Sequence, residues 1–154
     1  MNRDEKGKIY ITPVQNGTAL DHLKQGTALK ILGVLDIEDK KVGAAMNVDS
    51  RQMGKKDLVF IEGKELNEQE INKIALIGKG GTLNIIKNAK IVRKEEIKYP
   101  KEIEGIVRCI NPMCITNKDH IAGKFTIISS KPLKIKCIYC ETKMNEEEIV
   151  RLIK

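Results

Sequence analysis

The chain has no tryptophan and only two phenylalanines and three tyrosines among its 154 residues. Aliphatic side chains must therefore fill the interior, because large rings are scarce. Proteins that bind single-stranded nucleic acids stack successive bases on aromatic side chains, and so few rings cannot build an extended platform. The scarcity of aromatic residues argues against a protein that binds a nucleic-acid polymer in this way.

Long apolar runs are also missing. No run approaches the roughly 20 residues of a membrane-spanning helix, and the opening "MNRDEKGKIYI" has charges but not the apolar stretch of a signal peptide. We therefore expect no membrane partner and a cytoplasmic location. In that compartment thiols stay reduced, and paired cysteines more often bind a metal than form a disulfide.

The formal net charge of +7 is not concentrated in one part of the chain. Residues 1–100 carry 18 basic and 14 acidic side chains, a balance of +4, and residues 101–154 carry 10 and 7, a balance of +3. A basic excess favours phosphate-bearing partners. Because acids are interleaved with it, the distribution predicts contact with phosphates and not with a nucleic-acid polymer.

Histidine, a frequent catalytic acid or base, occurs only at positions 22 and 120. His22 follows Asp21, but neighbouring residues of a helix point about 100° apart, so we do not expect an automatic acid–base pair. His120 lies in a polar stretch and is expected at the surface. "GKGG" at 78–81 lacks the frame of a phosphate-binding loop. The sequence shows no recognisable pair of a catalytic nucleophile and its general base. It therefore favours a binding protein over an enzyme.

The first hundred residues alternate between strand-like and helix-like patterns. "KIYITPV" (8–14) predicts a short strand. "GTALDHLKQGTALKILGVL" (17–35) has leucines at spacings closer to helical than alternating, with a break at Gly26. "KVGAAMNVDS" (41–50) alternates with period two and "DLVFIEG" (57–63) is typical of a buried strand.

The helix with the clearest boundaries is predicted in "LNEQEINKIALIG" (66–78). Asn67 and Glu70 have the spacing of a capping box, and Gly78 supplies a stop. "TLNIIKNAKIVRKEEI" (82–97) predicts one or two strands around a turn at Asn88. The resulting order β-α-β-β-α-β is that of the split βαβ, ferredoxin-like plan.

A polar connector, "KYPKEIEG" (98–105), separates this half from a smaller one. The smaller half has two strand-like runs, "GKFTIIS" (123–129) and "LKIKCIY" (133–139), and a closing helix that begins with a second capping box at Asn145 and Glu148. We expect an α+β chain of two domains. Residues 1–100 form the ferredoxin-like βαββαβ domain and residues 101–154 a small β-rich domain.

All four cysteines lie in the last third, in the pattern C-x4-C-x22-C-x2-C: Cys109, Cys114, Cys137 and Cys140. Two short loops that each offer two thiolates are typical of a tetrahedral zinc site. A domain of about 50 residues buries little surface, and a metal would stabilise it. The alternatives are a disulfide framework, which needs an export route, or buried free thiols, which rarely pair in this way. Four sulfur ligands leave no open position, so we predict one structural Zn²⁺ per chain.

Several stretches resemble one known family in the same order along the chain. They are "GTALDHL" (17–23), "MGKKDL" (53–58) and "TLNIIKN" (82–88), followed by the cysteine pattern with "IYCE" (138–141). A four-cysteine tail alone is common, but its combination with this N-terminal half resembles the regulatory chain of aspartate carbamoyltransferase over nearly the whole sequence.

The resemblance implies a non-catalytic subunit of a pyrimidine-biosynthesis enzyme. Its N-terminal domain would bind nucleotide effectors and pair with a second regulatory chain to form a homodimer. CTP would inhibit, ATP would activate and UTP would act with CTP. The zinc domain would dock on the separate catalytic chain and pass the effector signal to the catalytic trimers.

The resemblance also implies a set of site residues. Ile11, Thr12 and Val14 would line the base, and Asp21 and His22 would lie near the ribose and phosphates. The remaining implied nucleotide contacts are Lys8, Lys56, Asn84, Ile86, Ile91 and Lys94. Asn111, Tyr139 and Glu141 match positions that face the catalytic chain.

Two positions depart from the family pattern. Where relatives often carry a lysine two residues beyond "DL", this chain has Phe60, and where a tyrosine can contribute near the base it has Ala89. Loss of the lysine removes a donor, so we expect CTP inhibition to differ from its usual strength. The alternative function is a basic zinc-ribbon protein that binds nucleic acid, which predicts clustered cations and steep salt dependence.

Overall fold

A computed structural model describes residues 13–154 and shows a mixed α+β chain with two antiparallel sheets, as the sequence predicted. The strands are β1 (Gly17–Leu23), β2 (Val42–Ser50), β3 (Gly54–Glu62), β4 (Thr82–Lys87), β5 (Lys90–Glu96), β6 (Ile103–Glu104), β7 (Lys124–Ser130), β8 (Leu133–Cys137) and β9 (Lys143–Asn145). The helices are α1 (Thr27–Val34), α2 (Glu68–Gly78), α3 (Ile115–Lys118) and α4 (Glu146–Leu152). Most of the strand predicted at 8–14, with Lys8, Ile11 and Thr12, lies outside the described residues.

The first sheet has the strand order β2-β3-β1-β4-β5. Strand β3 lies between β1 and β2, and β1 lies between β3 and β4, so each βαβ unit is split by one strand of the other, as the ferredoxin-like plan requires. Strand β5 extends the sheet at the β4 edge. On one face of the sheet, Leu20, Val59 and Ile61 pack in one core with Ile31 of α1 and Ile74 of α2. The opposite face carries no helix among the described residues.

Residues 17–23 form a strand, and the prediction of helical spacing there is wrong. The leucines of 17–35 belong to two elements, and their combined spacing imitates one helix. Strand β1 is hydrogen-bonded on both sides, to β3 and β4, and this pairing decides its conformation. Helix α1 starts only after Gly26, which has a φ of 84°. The buried Asp57 carboxylate accepts hydrogen bonds from the N–H groups of Gly26 (2.9 Å) and Ala28 (3.1 Å).

Both predicted capping boxes are confirmed. The Asn67 side chain accepts from Glu70 N (2.9 Å), and the Glu70 carboxylate accepts from Asn67 N (3.4 Å). The same reciprocal pair joins Asn145 and Glu148 at 3.0 and 2.9 Å. Each box satisfies two N–H groups that the first turn of a helix leaves without partners.

The second sheet has the order β6-β7-β8-β9 and a core of its own that includes Ile103, Phe125 and Ile135. Its first strand lies inside the segment predicted to be a polar connector. Ile103 is fully buried there and pairs with Phe125, so this polar segment contributes a short strand to the second sheet. Leu76 of α2 also belongs to this second core. None of the described helices is long and apolar enough to cross a membrane.

Candidate functional site

The four cysteines converge at one point of the second region. Sγ atoms of Cys109 and Cys140 are 3.6 Å apart, those of Cys114 and Cys137 are 3.8 Å apart, and all four lie within 4.8 Å of one another. Thiolates placed about 2.3 Å from a tetrahedral metal stand about 3.8 Å from each other, whereas a disulfide requires about 2.05 Å. All four cysteines are free. The arrangement therefore fits a tetrahedral metal site and excludes the disulfide framework.

The cysteine loops are held in shape by hydrogen bonds to their backbone. Asn117 Nδ2 donates to the carbonyl oxygens of Cys109 (2.9 Å) and Asn111 (2.7 Å), and Asn111 Oδ1 accepts from Met113 N (3.0 Å). In the second loop the Cys137 carbonyl accepts from Glu141 N (2.9 Å). These hydrogen bonds fix the shape of the two loops that carry the sulfur atoms.

The electrostatic environment differs among the sulfurs. Burial raises the pKa of the Cys109 and Cys137 thiols. Burial opposes ionisation of Cys140 as well, but hydrogen bonds involving Thr142 and Asn111 lower the pKa of Cys140 to about 6. A metal that binds the four sulfurs as thiolates displaces the protons of the thiols.

The residues expected to face a partner differ in orientation. Asn111 is half-buried and its side chain is engaged within the cysteine loops, whereas Tyr139 and Glu141 are exposed. The sequence interpretation missed the apolar side chains around them. Met113 is 67% exposed, and Ile115 and Ile138 are also exposed. Their positions beside and between the cysteines were the available signal, because several exposed apolar side chains near one another can mark a site of protein–protein contact.

A cavity of about 470 Å³ lies beside the first cysteine loop, where the end of α4 approaches it. Arg108, Lys154 and the imidazole of His120 are among its lining residues, and none of the lining side chains is acidic. Distant segments build it, so no local sequence pattern indicated it.

The predicted nucleotide contacts lie mainly on the first sheet. Ala19 of β1 pairs with Phe60 on one side and with Asn84 on the other, and Asn84 pairs with Lys94. Directly paired residues share a face, and this is the face that carries no described helix. Two further pairs, Gly17 with Ile86 and Ile86 with Ile91, extend the same face toward the turn between β4 and β5.

Val14 precedes β1 and lies at the end of this face that is close to the β4–β5 turn. The adjacent Gln15 accepts, through its carbonyl oxygen, a hydrogen bond from Ala89 N (2.8 Å), and Asn16 Oδ1 accepts one from Asn88 N (3.1 Å). The segment that contains Val14 therefore lies against the β4–β5 turn.

The opposite end of this face, where β4 begins, carries a charged cluster of Asp21, His22 and Lys56. Lys56 Nζ lies 2.9 Å from Asp21 Oδ1, and His22 N donates to the same oxygen at 2.6 Å. His22 Nδ1 is 3.1 Å from Thr82 Oγ1. Burial raises the pKa of Asp21, but hydrogen bonds from Lys56 and His22 outweigh it and leave the pKa lowered.

The expectation for Asp21 and His22 assumed a helix, and both residues instead lie in strand β1. Their side chains are not hydrogen-bonded to each other, because His22 Nδ1 faces Thr82. The register of β1 shifts between Leu20 and Leu23, and His22 has a φ of 54°. This irregularity brings His22 Nδ1 to 3.9 Å from Asp21 Oδ2.

Asn84 lies between the two ends and has an unsatisfied polar atom. Its side chain is nearly buried, and its Nδ2 donates to the Ala19 carbonyl at 3.4 Å. Its Oδ1 is buried without a hydrogen-bond partner in the described part of the chain. A buried acceptor left unpaired costs about 1–3 kcal/mol, so this oxygen marks a place where a ligand N–H would be stabilised.

Known families match both parts of the chain. Residues 9–98 match the family described as aspartate carbamoyltransferase regulatory chain, allosteric domain, and residues 101–150 match its metal binding domain. Curated proteins with the name aspartate carbamoyltransferase regulatory chain are similar over nearly their full length. The one from Methanococcus aeolicus is 46% identical over 147 residues, 95% of each chain. The one from Thermococcus sibiricus is 45% identical over 145 residues, 94% of this chain and 97% of its own.

Proposed function

Because the chain belongs to the family of aspartate carbamoyltransferase regulatory chains, we propose that it binds nucleotide effectors and transmits their effect to the catalytic trimers in pyrimidine biosynthesis. The family is regulatory, so the chain is not itself the enzyme. A cytoplasmic location follows from this role. The observation that carries the proposal is the helix-free face of the first sheet, where an unpartnered acceptor lies between an apolar end and a charged end.

The nucleotide lies along this face. Ile86 and Ile91 provide apolar surface for the base near Val14, and Asn84 Oδ1 accepts from an N–H of the ligand. The ribose and phosphates lie toward the charged end. Lys56 is already paired with Asp21, whereas Lys94 is exposed and has no carboxylate within ion-pair distance in residues 13–154. Lys94 is therefore the cation most available to phosphate, to which charge-assisted hydrogen bonds are strong.

Phe60 makes this site different from the family pattern. Its ring is half-buried on the same face as Asn84, across Ala19. A lysine at this position would donate to the ligand, and a phenyl ring can only contact it. The balance between CTP inhibition and ATP activation, and any joint action of UTP, is therefore set by contacts other than a cation at position 60.

The metal is one Zn²⁺ per chain, held by Cys109, Cys114, Cys137 and Cys140. The sulfur separations of 3.6 and 3.8 Å support it, because they match a tetrahedral set of thiolates. With four protein ligands the metal has no open position. It stabilises the second region and takes no part in chemistry.

The homodimer forms through β2, the edge strand of the first sheet. Residues 42–48, "VGAAMNV", carry no charge, although charged residues normally protect sheet edges from pairing. The opposite edge strand, β5, reads "KIVRKEE" and has five charged residues in seven. This contrast favours pairing of β2 with β2 of a second copy.

The catalytic chain docks on the exposed side chains around the cysteines. Met113, Ile115, Ile138 and Tyr139 supply apolar surface, Glu141 lies beside them, and Asn111 shapes the loop that presents Met113. Helix α2 connects this surface to the first sheet. Its Ile74 and Ala75 pack in the first core while Leu76 packs in the second, so a displacement of α2 is felt in both regions.

Nucleotide binding to the purified chain tests the effector site, with a nucleoside and its triphosphate titrated separately. Lys94→Ala should weaken the triphosphate by about tenfold or more, since hydrogen bonds to charged groups contribute about 1.5–3 kcal/mol, and should leave the nucleoside unaffected. Asn84→Leu should weaken both ligands. Lys30→Ala, on the exposed surface of α1, is the matched control.

If the variants bind the nucleoside and the triphosphate as tightly as the wild-type chain does, the nucleotide does not bind on this face. Co-expression with the catalytic chain then tests the partner. A chain that fails to assemble when loaded with metal contradicts the regulatory role. Tight binding to nucleic acid with a steep salt dependence would instead favour the alternative of a basic nucleic-acid-binding protein.

A further inference from the structure

Each cysteine pair is followed by a threonine at the same spacing. The first pair ends in "CIT" (114–116) and the second in "CET" (140–142), although the two pairs have spacers of different length. The Thr116 hydroxyl donates to Cys114 Sγ at 3.1 Å, and Cys140 Sγ lies 3.2 Å from Thr142 Oγ1. Two loops of unlike geometry thus place a hydroxyl against the sulfur of their second cysteine.

The environments of the two hydroxyls differ. Thr116 is only 6% exposed and its hydroxyl has the Cys114 sulfur as its hydrogen-bond partner. Thr142 is half-buried, and its hydroxyl is reached by the Cys140 thiol. A cysteine that binds a metal does so as a thiolate and has no proton to donate, so in the metal-bound site the Thr142 hydroxyl would be the donor in that pair.

Four thiolates around a divalent cation carry a net charge of about −2, and burying uncompensated charge is unfavourable. Hydrogen bonds from polar groups to the ligand atoms offset this cost and hold the ligands in position. We propose that Thr116 and Thr142 are positioning residues of the metal site, whose hydroxyls donate to the sulfurs of Cys114 and Cys140 and slow the loss of the metal. This inference rests on the proposed metal site and goes beyond the four ligands.

The test uses the full chain loaded with Zn²⁺ and measures the rate of metal transfer to an excess of chelator. Thr116→Val and Thr142→Val remove each hydroxyl at nearly constant volume. Loss of such a group typically costs about 10- to 100-fold in metal affinity, and we expect the larger effect for the buried Thr116. Thr116→Ser keeps the hydroxyl and should restore slow release. Thr126→Val, on the exposed side of β7, is the matched control.

Substitution of Zn²⁺ by Co²⁺ adds a readout that loss of packing alone would not change. Removal of a hydrogen bond to sulfur shifts the energy of the sulfur-to-cobalt charge-transfer band. The band should move in Thr116→Val and Thr142→Val and stay in place in Thr116→Ser and Thr126→Val. Because Thr142 is half-exposed, its variant supports the test even where Thr116→Val folds poorly.

The outcomes separate this inference from the metal site itself. Unchanged release rates and band positions in both valine variants, with a wild-type chain that retains its metal, overturn the role of the threonines and leave the zinc site intact. A wild-type chain that binds neither Zn²⁺ nor Co²⁺ overturns both.

Discussion

The two regions of this chain reach stability by different routes. The first sheet buries aliphatic side chains from β1, β3 and β4 against helices α1 and α2, and this buried cluster contains no cysteine. The second sheet has four short strands, and three of its buried core residues are the metal-site cysteines Cys109, Cys114 and Cys137. Small domains bury too little surface to be stable without additional links. The comparison sets a region held by apolar burial beside one whose buried core includes metal-site cysteines, and we expect the second to depend on the metal.

Removal of the metal should produce the largest difference in stability between the two regions. Chelation, or Cys114→Ser, should unfold residues 103–153 and leave the first sheet folded, because apparent metal-binding free energies of about 10–16 kcal/mol in zinc-finger peptides are folding free energies. Hydrogen exchange measured region by region checks this. Added Zn²⁺ should restore protection in the chelated chain but not in the variant. Persistent protection of β7 and β8 without metal would contradict the comparison.

A cavity in the first core should destabilise the first region and leave the metal site unaffected. Leu20 is fully buried, and Leu20→Ala should lower the free energy of unfolding of the first region by about 2–5 kcal/mol. Metal content should stay unchanged, which chelator titration measures beside denaturant unfolding. Leu29→Ala, at a leucine of α1 that is 63% exposed, should change stability by less than about 0.5 kcal/mol. Equal effects of the two substitutions would argue against burial as the source of stability.

The two capping boxes provide the test with the smallest expected effect. Asn67→Ala and Asn145→Ala each remove a side-chain acceptor from the first turn of a helix, at a cost of about 1 kcal/mol. In the metal-loaded chain both should lower the free energy of unfolding of their own region. In the metal-free chain only Asn67→Ala should still have an effect, since α4 would already be unfolded. An unchanged effect of Asn145→Ala after chelation would indicate that α4 folds without the metal.

Features that depend on neighbouring residues were predictable. Asn67 with Glu70, and Asn145 with Glu148, satisfy N–H groups within a single helical turn, so their spacing alone indicates a cap. The cysteine pattern was equally informative, because each loop brings two sulfurs together over a few residues. The conformation of residues 17–23 was not predictable in this way, because the spacing of their leucines together with those of α1 resembles that of one helix.

The amino-acid sequence by itself determined where helices α2 and α4 begin and that each of two short loops carries a pair of thiols, because these features depend on short-range spacing. The tertiary structure decided that β1 is a strand and that a buried oxygen of Asn84 lacks a partner. It also decided that Asp21 meets Lys56. These depend on which strands pair and in which register, and a strand's register is set by its partners from distant parts of the chain.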